Sequence, residues 1–578
     1  MSENATPAAA ADPSGQDLAG AGPSGGPSGE YTHRQVLTIL SGLMLGMFLG
    51  ALDQTIVSTS IRTIADDLHG LSVQAWVTTA YLITATITTP IYGKLGDLYG
   101  RKKLFMFAIT VFVVGSALCS FANSMYQLAA FRAIQGIGAG GLFTLVLAII
   151  GDIVSPRERA RYSGYFMAMF GTSSVLGPLI GGFFAGQATI LGIAGWRWVF
   201  LVNVPIGIAA LLVVQATLHV HPVSALDRSR IRVDWWGAAA LVVALVPLLT
   251  VAEQGYQWGW DSPRSVACFV VGGIGLVAFV VAEHLMGSAA LIPLRIFRIR
   301  AAAVTIAASV IVGMAMFGGI MLLPLYMQIV HGASPTESGL LMLPMVVGMM
   351  TSSIGSGQII SRTGHVRMFP ILGSALMVAG LALLSLCGAD TALVWVSGAM
   401  FVLGIGLGNC MQPLLLIVQS AVPPTEIGVA TSSATFFRQI GGTLGVAIFL
   451  SVLFSSVGGN IADAIRVDAQ TEQWQQTVTD PQVLANPLDK AVITELAHPS
   501  PDGGVLAQVQ DDSSIIDQMH PVLAHPFKVG FATSMDLVFL LAAAVGVLAF
   551  LILLLLPRVE LRATSARVAV QQAQEPPV

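Results

Sequence analysis

The chain has 578 residues, of which 54% are hydrophobic and only 10% are charged. A soluble globular protein carries about 25% charged residues, and so few charges on a soluble surface would leave very large apolar patches. The formal net charge of −4 offers no basic surface for nucleic acid. Composition therefore excludes a soluble enzyme, a disordered scaffold and a nucleic-acid-binding protein, and it predicts a protein that crosses a membrane several times.

Residues 1–34 are predicted to form a disordered tail, because they are rich in Ala, Gly, Ser and Pro and have no long apolar run. The apolar blocks that follow are about as long as a membrane-spanning helix, which needs roughly 20 residues. They are too long for barrel strands, so we predict an all-α membrane protein with 14 transmembrane helices. The approximate bounds are 35–60, 72–93, 104–122, 126–153, 162–187, 197–218, 235–253, 264–285, 300–330, 338–360, 368–388, 391–420, 428–456 and 530–556.

The basic residues predict the orientation of these helices, since Lys and Arg accumulate in cytoplasmic loops. With a cytoplasmic N-terminus, 19 of the 27 Lys and Arg residues lie on the inner side and six on the outer side. The other two, Arg132 and Arg438, fall inside predicted helices. An even number of helices then puts both termini in the cytoplasm.

The four cysteines are predicted to be small buried hydrophobic residues. They lie inside apolar blocks, with neither a CxxC pair nor a histidine cluster nearby. We therefore expect no metal site and no bound cofactor.

The chain also repeats itself weakly. Gly93 and Gly100 bound a turn after the second helix, and Gly357 and Gly364 bound a turn with the same spacing after the tenth. The offset predicts two related six-helix bundles around a central site, as in alternating-access carriers, with two inserted helices between them. The predicted units are a tail (1–34), the N-terminal bundle (35–220), a linker with two extra helices (221–298), five helices of the C-terminal bundle (299–457), an outer loop (458–528), the last helix (529–557) and a cytoplasmic tail (558–578).

The outer loop 458–528 is long and contains ten acidic residues. A solvated insertion is one interpretation. A small cap or docking surface is the other, because structureless loops of this length are uncommon in compact proteins.

Several motifs resemble one known family. The turn Gly93–Lys103 resembles the signature loop between helices 2 and 3 of the major facilitator superfamily. Other segments are similar to its helix-4 and helix-5 motifs and to its fourteen-helix drug:proton antiporter branch; they are Leu52–Thr55, Phe131–Gly138, Gly171 with Gly177–Gly182, Trp196–Pro205 and Arg438–Gly442. The resemblance covers residues 35–456 and the last helix. It implies the major facilitator fold in the cytoplasmic (inner or plasma) membrane and energy supplied by a proton gradient.

Asp53 is the strongest candidate for chemistry. A carboxylate inside a membrane helix costs about 2.5–3.5 kcal/mol, which marks it as a functional residue by default. At 1.5 Å per residue, Asp53 and Arg132 lie at similar depth in the outer half of the membrane. A proton on Asp53 would release Arg132, although a permanent structural ion pair is the alternative. The resemblance supports proton coupling by Asp53 and a relay role for Arg132.

The resemblance also assigns two conformational elements. Gly93, Asp97, Gly100 and Arg101 form the gating loop, in which Asp97 is expected to brace the first bundle against helix ends of the second. The repeat copy has Ser361 where the first has Asp97, so these contacts are expected to be asymmetric. The antiporter motif is expected to seal the two bundles against each other; its residues are Gly171, Gly177, Pro178, Gly181 and Gly182.

The predicted substrate cavity lies between the bundles near Gln54, Asn409, Gln412 and Arg438. Polar amides at mid-depth line cavities more often than they face lipid. The second half has no convincing additional carboxylate, which argues against dicationic drugs and leaves neutral, monocationic or lipid-like cargo open.

These features predict a proton-coupled antiporter, not an enzyme, that exports amphiphilic drugs or other hydrophobic compounds. The partners would be a small amphiphilic substrate or lipid, protons and the bilayer, and no nucleic acid. One alternative is export of lipids or cell-envelope precursors, with an envelope protein at the outer loop. A membrane receptor or scaffold without transport is the other alternative.

Overall fold

The computed structural model describes residues 33–69, 74–218, 234–497, 513–559 and 561, and nearly all of them are helical. The tail 1–32 and most of the C-terminal tail lie outside the described residues. The long helices are α1 (His33–Asp67), α2 (Gln74–Tyr99), α3 (Arg101–Cys119), α4 (Met125–Ile153), α5 (Pro156–Ala185), α6 (Trp198–Leu201 and Asn203–Thr217), α7 (Trp235–Trp258), α8 (Pro263–Met286), α9 (Arg300–Ile329), α10 (Pro335–Leu341 and Leu343–Thr363), α11 (Met368–Leu384), α12 (Leu393–Ala421), α13 (Ile427–Asp468) and α14 (Pro521–Leu554).

Local sequence explains several helix starts and breaks. Ser155 caps α5 by accepting from the backbone N–H of Glu158, and Pro156 occupies the first turn, where its missing N–H costs nothing. The break in α10 at Met342 precedes Pro344, and the break in α6 at Val202 precedes Pro205.

One small exception to the all-helical prediction is a hairpin between α5 and α6. Its strands, β1 (Thr189–Ile190) and β2 (Ile193–Ala194), are antiparallel. Leu191 and Gly192 both have positive φ, at 52° and 77°, as a tight hairpin turn requires.

Twelve helices in the described part of the chain are long and apolar enough to cross a membrane. They match twelve of the predicted blocks. Two further helices, α2 and the 17-residue α11, stand at the positions of the second and eleventh blocks and pack among the other twelve. The all-α, multi-pass architecture is thus confirmed, and the count of fourteen crossings stays a prediction.

The helices form two six-helix groups and an added pair. The N-bundle contains α1–α6, and the C-bundle contains α9–α14. The inserted helices α7 and α8 pack on each other, and α7 also packs on α2 and α13, where Leu241 and Leu245 join Ile83 and Phe436 in one apolar cluster. The inserted pair therefore covers one seam between the bundles, while α5 and α10 form the opposite seam.

The repeat seen in the sequence is also present in the packing. Gly177 and Gly181 bring α5 against α1, and Gly441 and Gly445, each 264 residues further on, bring α13 against α9. A Cβ atom at any of these four positions would collide with the neighbouring helix. The two bundles therefore use the same close contact between equivalent helices.

The outer segment is more helical than predicted. Helix α13 continues to Asp468 and α14 begins at Pro521, so both extend into the range 458–528 that was predicted as loop. Between them the described residues form three short α-helices, Glu472–Thr479, Pro481–Ala485 and Pro487–Ala497, and one 3-10 helix, Ser513–Gln518. Trp474 and Val483 pack with Leu523 at the start of α14 in a small apolar cluster. The part of this segment that the structure describes is thus folded onto the C-bundle, and residues 498–512 lie outside it.

Candidate functional site

Asp53 and Arg132 meet in the interior of the N-bundle. Asp53 on α1 is 0% exposed and Arg132 on α4 is 1% exposed. Arg132 Nη1 donates to Asp53 Oδ2 at 2.5 Å. The pairing expected from helix depth is therefore present, while the coupling roles stay predictions.

Two further side chains complete the shell of the carboxylate. Gln135 Nε2 and Asn203 Nδ2 each donate to Asp53 Oδ1 at 2.8 Å. Both amides also donate to Ser116 Oγ on α3, and Gln135 Oε1 accepts from Arg132 Nη1 at 2.7 Å. The carboxylate thus receives three N–H donors from α4 and α6, which is the arrangement that stabilises its ionised form.

Arg132 is held by more than its ion pair. Its guanidinium carbon lies 4.0 Å from the centre of the Tyr81 ring on α2, within range of a cation–π interaction. Its Nε has no hydrogen-bond partner among the described residues. Because a buried guanidinium needs its counter-charge, protonation of Asp53 would leave Arg132 poorly compensated and favour rearrangement around it.

The helix that carries Asp53 presents a second, different face. Gln54 and Ser58, one turn apart, are exposed although their neighbours Asp53 and Val57 are buried. Polar side chains at this depth avoid lipid, so we expect this face of α1 to border the space between the bundles. Gln54 also lies 3.5 Å from the Tyr81 hydroxyl, which connects this space to the buried network.

The other predicted cavity residues are in different environments. Gln412 on α12 is partly exposed. Asn409, one turn before it, is buried; its Nδ2 donates to Ile405 of its own helix, and its Cβ packs toward Gly373 of α11. The structure therefore does not bring Asn409 together with Gln54 at the cavity in this conformation, because its orientation on α12 turns it into the C-bundle.

Arg438 lies on α13 next to a cross-bundle contact. Its neighbour Gln439 accepts from Thr89 Oγ1 of α2 at 3.3 Å. Arg438 is partly exposed and has no ion-pair or hydrogen-bond partner among the described residues. It does not join the Asp53 network.

The gating loop closes the bundles at one end. We call this end, which contains the α2–α3 turn, the inner face, following the predicted orientation. Asp97 Oδ2 accepts from the backbone N–H of Val429 at 3.0 Å, in the first turn of α13, where exposed N–H groups favour an anion. Arg101 bonds Asp97 at 2.8 Å and Asp152 of α4 at 2.7 Å.

Gly93 and Gly100 of this loop each require glycine, for different structural reasons. A Cβ atom at Gly93 would collide with Ser432 of α13, so this position permits the close approach of the bundles. Gly100 has φ of 93°, a conformation that other residues rarely adopt. Gly364, its repeat partner, also has a positive φ, of 74°.

A second inner-face contact was not predicted. Arg159, in the first turn of α5, donates to the side chain of Gln419 on α12 and to the carbonyls of Gly151 and Val154. Gln419 in turn donates to Thr431 Oγ1 of α13 at 2.8 Å. The repeat copy of the gating loop makes no such contact among the described residues, where Ser361 donates to the Gln358 carbonyl of its own helix.

The antiporter motif divides between two faces of α5. Gly177 and Gly181 pack on α1 inside the N-bundle, as described above. The other three residues face α10 of the C-bundle: Gly171 approaches Val346, Pro178 lies 3.2 Å from the Cβ position of Gly339, and Gly182 lies near Thr336. Only part of the motif therefore lies in the seam between the bundles.

The sequence contained signals for two of the missed residues. Gln135 stands one helical turn after Arg132, so both project to the same side of α4. Asn203 is a lone amide inside an apolar helix, which is a functional signal by itself. Tyr81 and Gln419 gave no such signal, because only the fold brings them to their partners.

Within the described ranges, no group of three or more His, Cys, Asp or Glu side chains is placed to hold a metal ion.

Comparison with known proteins adds independent evidence. The model of the Major Facilitator Superfamily matches residues 43–446. The multidrug transporter protein MdtP of Bacillus subtilis is 35% identical over 438 residues, which cover 76% of this chain and 78% of that protein. The uncharacterized MFS-type transporter Rv1877 of Mycobacterium tuberculosis is 34% identical over 540 residues, which cover 93% of this chain and 72% of that protein.

Solved structures agree in fold. The proton:xylose symporter XylE aligns with a TM-score of 0.56 at 14% identity, covering 94% of this chain and all of that one. A bacterial homolog of the human lysosomal transporter Spinster aligns with a TM-score of 0.51 at 16% identity, covering 90% and 98%. At these identities the likeness concerns the fold alone.

Proposed function

Because the chain belongs to the Major Facilitator Superfamily, we propose that it is a proton-coupled antiporter that exports amphiphilic drugs or other hydrophobic compounds across the cytoplasmic membrane by alternating access. The observation that carries the proton coupling is the buried Asp53 carboxylate, which Arg132, Gln135 and Asn203 all contact. A network of charged and polar side chains costs free energy inside a membrane, so its presence indicates a functional site. That cost also argues against a receptor or scaffold without transport.

The geometry supports a simple cycle. When Asp53 is ionised, Arg132 is bound to it and the bundles are joined at the inner face through Asp97 and Arg159. A proton that enters from the outer side binds Asp53, removes the charge that holds Arg132, and makes a different packing of α1 and α4 favourable. Release of this proton to the inner side restores the ion pair. Cargo moves in the opposite direction through the space that Gln54 borders.

Efflux as the direction of transport is supported by the relatives. MdtP is named a multidrug transporter, and an efflux pump of Aspergillus parasiticus is 31% identical over 449 residues. The apolar exposed face of α4, with Ile134 and Ile137, suits hydrophobic cargo.

The test is efflux from proteoliposomes with an imposed proton gradient. We expect Asp53→Asn to keep the fold, because the amide replaces the carboxylate with almost no change in shape, and to lose gradient-driven accumulation. Downhill counterflow of cargo should remain. An Asp53→Asn protein that still couples cargo to protons as well as the wild type would refute the assignment.

Export of lipids or envelope precursors is a second candidate, supported by the folded outer segment between α13 and α14. Removing residues 470–512 separates the two functions. If the segment serves lipid export, the truncated protein should lose lipid transport and keep drug efflux. Equal retention of both activities would remove this candidate.

A further inference from the structure

The charges inside the membrane are unevenly paired. Among the described side chains at this depth, Asp53 and Arg132 neutralise each other within the N-bundle. Arg438 has neither an ion-pair partner nor a hydrogen-bond partner among the described residues, and its side chain is only partly exposed. Among the described side chains at this depth, Arg438 therefore carries a positive charge without an ion-pair partner.

The position of Arg438 on α13 points it toward the space between the bundles. Gly441 and Gly445 pack on α9, and Gln439 meets Thr89 of α2. Arg438 lies between these two faces of the helix. The base of its side chain passes over Gly313 of α9, whose Cβ position lies 3.2 Å from Arg438 Cγ. Its side chain is partly exposed, so neighbouring helices do not cover it completely.

Among the described side chains, the helices around Arg438 place no carboxylate within ion-pair distance of it. Helices α9 and α12 contain no acidic residue. The acids of α2 and α4, Asp97 and Asp152, are bound to Arg101 at the inner face. Asp536 of α14 interacts electrostatically with Tyr326 and Cys387 instead.

From these observations we propose that Arg438 is an anion subsite, which selects cargo with a single negatively charged group, such as a carboxylate or phosphate, on an apolar body. An unpaired guanidinium in a partly dry site attracts an anion strongly and binds it through two parallel N–H donors. This inference rests on the proposed transport function, and it names the class of cargo. The anionic group has two sources, a soluble organic acid or the headgroup of an anionic lipid.

The experiment measures equilibrium binding without a gradient, so that failure of proton coupling does not affect it. The probes are a fluorescent dodecanoate and its uncharged methyl ester, with purified protein in nanodiscs of phosphatidylcholine. We expect the wild type to bind the carboxylate about tenfold to a hundredfold more tightly than the ester. Arg438→Gln should abolish that preference without weakening binding of the ester, and Arg438→Lys should keep part of it. Arg466→Gln, which removes an exposed guanidinium of the outer segment, is the matched control and should behave as wild type.

Two results overturn the proposal. One is equal binding of both probes by the wild type, a result that does not depend on whether any variant folds. The other is an Arg438→Gln protein that keeps the preference, or loses both probes to the same extent. Adding phosphatidylglycerol to the nanodiscs identifies the source: competition with dodecanoate in the wild type alone indicates a lipid headgroup, and its absence indicates a soluble acid.

Discussion

At the scale of single residues, the Asp53 site depends on amides as much as on its ion pair. Asn203 and Gln135 both donate to Asp53 Oδ1 and both contact Ser116, so they tie α1, α3, α4 and α6 to one carboxylate. These amides cannot titrate. We propose that they stabilise the ionised carboxylate.

Replacing Asn203 tests this role. Leu has nearly the same size as Asn but no N–H donor, so in Asn203→Leu the ionised Asp53 loses one hydrogen bond. A hydrogen bond to a charged group is worth about 1.5–3 kcal/mol. The protonated form is thereby favoured, so the pH at which proton-driven efflux is half-maximal should shift upward. The measurement is the pH profile of efflux in proteoliposomes.

Asn460→Leu is the matched control for Asn203→Leu. Asn460 on α13 also makes an interhelical bond, to Ser534 Oγ at 2.8 Å, far from Asp53. Its loss should lower the midpoint of thermal unfolding at most and leave the pH profile in place. Identical profiles for the two variants would mean that Asn203 is structural only.

At this scale the sequence predicts which residues meet when their depth in the membrane is sufficient to pair them. Asp53 and Arg132 could be paired from their distance along α1 and α4 because rise per residue is fixed. The sequence does not predict which way a side chain points about the axis of its helix, because the packing of neighbouring helices sets that rotation. Asn409 has the right depth for the cavity, but the packing of α12 on α11 turns its side chain into the C-bundle.

At the scale of helices, the inner face is closed by two unlike contacts. Asp97 meets the first turn of α13, and Arg159 meets Gln419 of α12. The family resemblance predicted the first contact, and Ser361 at the repeat position predicted its absence from the second copy. It did not predict Arg159, because the partner residue lies 260 positions away and no local pattern marks it.

We expect Asp97→Asn to weaken the closed inner face. The neutral amide loses the charge that favours the N-terminus of α13 and the bond to Arg101. In a background without the native cysteines, Leu147→Cys, which is buried at this face, should react faster with N-ethylmaleimide when Asp97→Asn is added, and efflux should fall.

Ser361→Ala is the control for Asp97→Asn, since residue 361 is the repeat position and, within the described part of the chain, its hydroxyl bonds only within α10. It should leave the alkylation rate of Leu147→Cys at its wild-type value. If both substitutions accelerate alkylation equally, Asp97 has no specific part in closing the inner face.

At the scale of the whole molecule, the two bundles share an architecture but not a charge pattern. Counting 264 residues on from Asp53 and Arg132 gives Phe317 and Val396, which cannot form an ion pair. Counting 264 back from Arg438 gives Ser174. The buried ion pair therefore lies in the N-bundle, where we propose that the proton is handled, and Arg438, which is unpaired among the described side chains, lies in the C-bundle. The sequence showed the repeat and both arginines, but only the fold showed which of them lacks a partner.

This division predicts how membrane potential drives transport. With one proton moved inward per cycle at Asp53, export of a neutral cargo moves one charge, and export of a monovalent anion moves two. Each charge is worth about 2.3 kcal/mol per 100 mV, so an inside-negative potential should raise the steady-state gradient of dodecanoate about fiftyfold more per 100 mV than that of its methyl ester. Potassium gradients with valinomycin set the potential in proteoliposomes, and the gradients of both probes are measured by fluorescence.

Arg438→Gln should slow the transport of dodecanoate and leave the dependence of that transport on membrane potential intact, because the residue selects the cargo but carries no charge across the membrane. Equal responses of the two probes in the wild type would contradict export of the anion in exchange for a proton.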